Sequence, residues 1–323
     1  MLRRLFILLA VCALALAGCT TPDNPGVPGS QGNQENQGSQ GTTPVEKTGT
    51  ITLTLRLSTA TESREYAFPT TKANDVKLRY TLRFYRAEEA SGWASSPEVE
   101  KVIYLDAPYD RYLQERIELK LDAYKVLAWA DYVKDNANWF WNPADLSKVE
   151  YAAASYQGTS EYKQCYYGTL ELDLRQDENR IKSLGLHPAG SSISILATDS
   201  SSFEGKDLTA VISYLDLIPL SFDVWRFSPI GGQPGLSFSS PVKKLDNGTI
   251  SIADDYILLG VDTSIGATLT LQEKDGTVLL KKDITIPLKC GCNTILKGEL
   301  LSAGADAGIS VDPSFEGEYD LNF

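Results

Sequence analysis

The chain of 323 residues holds a single histidine and a single methionine. The lone imidazole, His187, is followed directly by Pro188; one histidine cannot build a histidine-rich metal centre and leaves the common hydrolase triads to compete for one base. No G-x-S-x-G elbow, no H-E-x-x-H helix and no phosphate-cradling loop with a Gly-Lys-Ser/Thr ending occurs, which removes the commonest hydrolase, zinc-protease and nucleotide sites. Cysteine is scarce as well. Beyond Cys19 only Cys165, Cys290 and Cys292 remain, an odd set that argues against a disulfide framework. Cys290-Gly291-Cys292 has a spacing that some metal sites use, but no second Cys or His pair accompanies it, so neither metal nor cofactor is expected. After the first twenty residues no apolar run is long enough to cross a membrane, and no sustained 3.6-residue period points to a long helix. Basic residues are also few. Of the 30, Arg3 and Arg4 sit at the extreme N-terminus, and the rest face 42 acids. That balance opposes nucleic acid and anionic headgroups and gives an acidic, soluble surface.

What is present begins with a leader. Arg3 and Arg4 precede an apolar stretch from Leu5 to about Leu16, the form of a processed export signal. The segment Leu16-Ala17-Gly18-Cys19 resembles the bacterial lipobox. This resemblance implies cleavage after residue 18, with Cys19 becoming a lipidated N-terminus that carries acyl chains such as palmitate; an ordinary secretory peptide cut elsewhere would leave Cys19 a plain thiol. Acyl chains contribute about 0.8 kcal/mol per buried methylene, and two or more hold a protein on a membrane persistently. Residues 1–18 are therefore set aside as a signal peptide, and the expected location is the outer membrane, lipid-anchored and facing the exterior. Residues 19–48 are dominated by Gly, Gln, Asn, Pro and Ser, a composition that cannot form a core. As a flexible coil this tether has a reach of roughly 30 Å.

From residue 49 the apolar period becomes two. Ile51, Leu53, Leu55 and Leu57 alternate with Thr52, Thr54 and Arg56, and Leu78, Tyr80, Leu82 and Phe84 alternate with Lys77, Arg79, Thr81 and Arg83. The pattern recurs at Ile117 to Leu121, Leu170 to Leu174, Ile193 and Ile195, Ala210 to Tyr214, Ile250 and Ile252, Leu269 and Leu271, and Ile284 and Ile286. Short alternating strands divided by turn residues predict antiparallel sheets that bury one face against another. The fold class expected is all-β, with two tandem antiparallel β-sandwich domains at 49–183 and 184–323. The division falls where the Leu170–Leu174 strand gives way to the polar stretch Gln176 to Asn179.

Several segments together resemble the fimbrillin-type lipoproteins of strand-exchange (type V) fimbriae, in particular their lipid-anchored anchor and accessory subunits, and a related uncharacterised surface-lipoprotein domain family. Tyr124-Lys125-Val126-Leu127-Ala128-Trp129-Ala130-Asp131-Tyr132 is similar to the Y-x-v-l-x-W-A-D-Y strand of the latter, and Tyr166-Tyr167-Gly168 to its F-Y-G strand start. Ile286-Pro287-Leu288-Lys289 and Asn293-Thr294-Ile295-Leu296-Lys297-Gly298 are similar to a fimbrillin strand pair, with Cys290-Gly291-Cys292 in place of its basic turn. The acidic close from Gly308 to Tyr319 resembles the family's tail. The resemblance implies transthyretin-like, Greek-key sandwiches on a lipid anchor, and partners that are fimbrial subunits joined by strand addition.

Candidate site residues are few. Trp139, Phe140 and Trp141 lie between turn formers in Asn136 to Pro143; they could form a sugar platform or a protein contact, or fold back over one end of a sandwich. Carboxylate neighbours such as Asp254-Asp255 and Glu88-Glu89 are what 42 acids offer by chance, and no enzyme is expected. The acids around Asp199 to Asp207, and Asp131 with Asp135, lack EF-hand spacing. Lys77, Arg79, Arg83 and Arg86 read either as a solvated face paired with cross-strand acids or as a docking stripe for an acidic partner. The leading expectation is a non-catalytic outer-membrane lipoprotein acting as a fimbrial anchor, accessory or adhesion subunit. The alternative is a glycan-binding surface lipoprotein associated with polysaccharide uptake.

Overall fold

Where the sequence alternates, the chain forms strands, and the apolar members point into one of two cores. Ile51, Leu53 and Leu55 are fully buried in the strand Thr48–Leu57, as are Leu78, Tyr80, Leu82 and Phe84 in Val76–Glu88. The computed structural model describes residues 47–57, 75–88, 92–110, 112–175, 180–302 and 318–321. Residues 1–46, which hold the expected signal peptide, Cys19 and nearly all of the expected tether, lie outside the described residues, as do 303–317 with most of the acidic close. The chain from Glu46 onward forms one unit. The all-β expectation holds: among the described residues the helical content is one 3₁₀ turn, Ser200–Phe203.

The first core lies within a sheet that folds over itself. Its main layer runs from Val99–Asp106 through Val76–Glu88 and Ala123–Lys134 to Cys165–Asp173, antiparallel throughout. The strand Ile181–Pro188 carries the sheet around the corner. Its end (His187, Pro188) pairs with Tyr167 and Tyr166, while Ile181 to Leu186 pair with Thr52 to Leu57. Tyr112–Lys120 closes that side, antiparallel to Thr48–Leu57. The sequence reading put residues 184–188 in the second domain, but they hydrogen-bond in the first sheet, and Leu184 and Leu186 sit in the first core.

Two layers enclose the second core. One contains Lys243–Lys244, Ile250–Leu258, Gly190–Ala197, Asn293–Gly298 and Glu318–Leu321; the other contains Ser237–Pro241, Leu208–Tyr214, Thr263–Glu273 and Val278–Leu288. Not every pair is antiparallel, as the sequence pattern had suggested. Thr48–Leu57 runs parallel to Ile181–Pro188, and Gly190–Ala197 parallel to Asn293–Gly298. In each case a long stretch of chain separates the partners, which is what a parallel crossover requires.

A small fourth sheet joins the two halves. Trp141–Asn142 and Val149–Tyr151 pair with each other, and Val149–Tyr151 pairs with Ser221–Asp223, which in turn pairs with Ser228–Ile230. Phe222 and Val224, from the second half of the chain, are fully buried in the first core, as is Leu258.

Candidate functional site

The aromatic segment is positioned by a two-residue hairpin. Lys134 pairs with Ala137, and the intervening Asp135 and Asn136 have φ values of 52° and 59°, the left-handed pair that a type I′ turn needs and that Asp and Asn tolerate. The chain therefore doubles back over the strand Ala123–Lys134. Phe140 and Trp141 are each 1% exposed, whereas Trp139 is half-buried. Trp141 meets Trp129 edge-on at 6.2 Å and donates from Nε1 to the Lys163 carbonyl at 2.7 Å. Trp139 stacks on Phe140 at 4.8 Å and on Tyr162 at 5.3 Å, with the Lys134 ammonium 5.6 Å from its ring centroid. Two of the three predicted contact rings thus face the core, and only Trp139 retains substantial surface.

Arg79 locks this hairpin. Its Nε and Nη2 donate to the two carboxylate oxygens of Asp131 at 2.9 and 2.6 Å, Nη1 donates to Asn138 Oδ1 at 2.6 Å, and Nη2 also reaches the Trp141 carbonyl at 3.1 Å. Burial pushes the Asp131 carboxyl up to about 6, and the Arg79 hydrogen bonds and charge offset only part of that rise. The Asp of the W-A-D segment is therefore an internal clamp. The basic stripe resolves in the same way: Lys77 faces Asp106, Arg83 pairs with Glu100 and Arg86 with Asp122. Arg79 departs from the solvated-face reading because the folded-back hairpin covers it.

A second polar cluster lies between the two cores, and sequence reasoning did not find it. The Lys163 ammonium contacts Asp255 Oδ1 at 2.7 Å, with both side chains 1% exposed. The hydroxyls of Tyr156 and Tyr214 each donate to Asp255 Oδ2 at 2.6 Å, and the Tyr256 N–H donates to Oδ1 at 2.7 Å. The Tyr156 ring lies 3.9 Å below the Lys163 ammonium, and the Gln157 carbonyl accepts from it at 3.0 Å. Burial lowers the Lys163 pKa despite the carboxylate beside it, and drives both tyrosine hydroxyls well above their ordinary range. Neighbouring Asp254 accepts from the Ser160 N–H and hydroxyl at 2.6 and 2.9 Å. The adjacent acids Asp254 and Asp255 therefore both hold the segment from Tyr156 to Lys163.

The other candidates have local roles. Asp199 accepts from the backbone N–H groups of Leu300, Leu301 and Ser302 at 3.0, 2.8 and 2.8 Å. Cys165 is buried and its thiol is pushed well up by desolvation. Among the described residues no group of three His, Cys, Asp or Glu side chains is placed to hold a metal ion.

The surface also offers an open strand edge. Val278–Leu288 pairs along one side with Thr263–Glu273, and among the described residues no strand pairs with its other side. Ile284, Ile286 and Leu288 are buried beneath it, while Val278 is 53% exposed.

A family model described as a family of unknown function, DUF6562, matches residues 42–323. No curated protein matches the chain. Among solved structures, the fimbrial anchor protein Mfa2 from Porphyromonas gingivalis is similar at 15% identity and a TM-score of 0.41, covering 73% of this chain and 83% of that one. A fimbrial assembly protein from Parabacteroides distasonis is similar at 14% identity and a TM-score of 0.43, covering 80% of this chain and 94% of that one.

Proposed function

The chain belongs to DUF6562, a family of unknown function, and for this member we propose a non-catalytic outer-membrane lipoprotein, held by acyl chains on Cys19, that serves as an anchor or accessory subunit of a surface fimbria or adhesive assembly. The leader ending in Leu16-Ala17-Gly18-Cys19 and the polar tether behind it supply the means of attachment.

The observation that carries the reading is the outer side of Val278–Leu288, along which no strand pairs among the described residues. It is an eleven-residue strand at the end of its sheet, and its last three residues, Ile286 to Leu288, belong to the segments that resemble a fimbrillin strand pair. An extended segment from another subunit gains backbone bonds along such an edge up to Pro287, whose carbonyl already accepts from the Thr294 hydroxyl, and alternate side chains set the specificity. Lys281, Lys282 and Asp283 lie along the strand, and charged residues of this kind discourage indiscriminate edge-to-edge pairing. Phe140 and Trp141, being inside the core, are not available to a glycan platform, so the adhesive reading is the better supported.

The test has two arms. Immobilised mature protein should capture a fimbrial subunit from the outer-membrane fraction of its own host. Deletion of the gene should change fimbrial length or cell attachment. Failure of both removes the assembly role. Protease treatment of intact cells should cleave the body; complete protection would place it on the periplasmic side and remove the surface role.

A further inference from the structure

The geometry points to a covalent amide cross-link between Lys163 Nζ and the side-chain carboxyl carbon of Asp255, formed by the folded chain itself. The two groups meet at 2.7 Å, with both side chains 1% exposed, and they come from segments 92 residues apart. Both side chains are shielded from bulk solvent, and a charged amine held there carries a desolvation penalty. Burial also lowers the Lys163 pKa, which enlarges the nucleophilic amine fraction.

Each part of a condensation has a group in place. The Lys163 amine attacks the Asp255 carboxyl carbon. Charge developing on Oδ1 is met by the Tyr256 N–H at 2.7 Å, an oxyanion-type contact. Oδ2, hydrogen-bonded by the Tyr156 and Tyr214 hydroxyls at 2.6 Å each, leaves as water. Starting from the ion pair, the ammonium gives up two protons and the carboxylate one oxygen; a C–N bond forms, a C–O bond breaks, and one water is released. No electrons are transferred, so no oxidant or co-reactant is needed. Holding the partners in contact can supply an effective concentration on the order of 10⁵ M or more, and release of water into bulk solvent favours the amide.

Peptide mass analysis of the full-length protein, extracted from membranes and digested with trypsin after denaturation, tests the inference without requiring a variant to fold. A cross-linked Lys163 resists cleavage, so residues 149–175 should appear joined to residues 245–274, lighter than the two peptides together by one water. The Lys163→Arg chain, which keeps the positive charge, should lose the joined species. Recovery from the parent of a peptide ending at a cleaved Lys163, with 245–274 separate and at full mass, overturns the inference and leaves the pair as an ion pair only.

Discussion

Arg79 holds both carboxylate oxygens of Asp131 from the neighbouring strand, at 2.9 and 2.6 Å, beneath the hairpin that carries Trp139 to Trp141. The pair ties the central strands of the first sheet to the segment folded over them. Removing one partner leaves a buried charge without its counterion. Asp131→Ala should therefore cost about 3–5 kcal/mol, whereas replacing both residues by apolar side chains of similar volume should cost much less. Urea unfolding of the single and double variants checks this.

The same carboxyl sets a pH dependence. Its folded-state value of about 6 lies above the ordinary 3.8 because burial disfavours the charge more than Arg79 favours it. The folded state therefore holds the proton more tightly than the unfolded chain does. The resulting stabilisation is fully present below the unfolded value and is lost as pH rises through about 6. The stability of the parent relative to Asp131→Asn should fall between pH 4 and 6, measured by denaturant titration at several pH values; a flat difference would contradict it.

Asp199 has the opposite sign. Burial would raise its pKa, but the backbone N–H groups of Leu300, Ser302 and Leu301 outweigh that and hold it below the usual carboxylate range. Its contribution is present above the unfolded value and disappears as pH falls through the depressed folded one. Asp199→Ala should cost about 1–3 kcal/mol at neutral pH through the donors it strands, and should flatten the acid limb of the stability profile.

Gly168, in the segment resembling an F-Y-G strand start, lies where strands approach closely. A Cβ there would stand 2.4 Å from the Gly185 carbonyl oxygen. Gly168→Ala should lower stability by about 1–3 kcal/mol through overpacking, visible as a reduced melting temperature with an unchanged far-UV spectrum.

The aromatic triplet should divide by burial. Trp141→Ala should cost about 3–5 kcal/mol, as loss of a fully buried ring does. Trp139→Ala should cost about 1–2 kcal/mol and is the variant of choice for binding assays, since its fold should survive. Equal losses for both would show that the half-buried ring is also a core element.

Much of this could be read from period-two alternation, because each inward residue reports its own burial: Ile51, Leu53 and Leu55, or Ala210 and Ile212, need no knowledge of the partner strand. Other features depend on contacts made far along the chain. Arg79 alternates with apolar neighbours and so reads as solvent-facing; only the return of residues 136–142 over its strand buries it. Lys163 sits in the polar run Ser160 to Gln164, and its partner is 92 residues away. Phe222 lies between Ser221 and Asp223, with nothing local to say that it enters the first core through the small fourth sheet. The hairpin at Asp135-Asn136 did carry a local signal, since both residue types accept left-handed backbone.

Thr48–Leu57 has a mechanical consequence. It lies between two neighbours, matched over nine residue pairs to Tyr112–Lys120 and over six to Ile181–Pro188. Traction applied to residue 48 along the strand axis loads both ladders in shear, so their hydrogen bonds must fail together instead of opening one at a time. A body tugged from its N-terminal side would therefore resist extraction of its first strand far better than it would resist peeling from an edge.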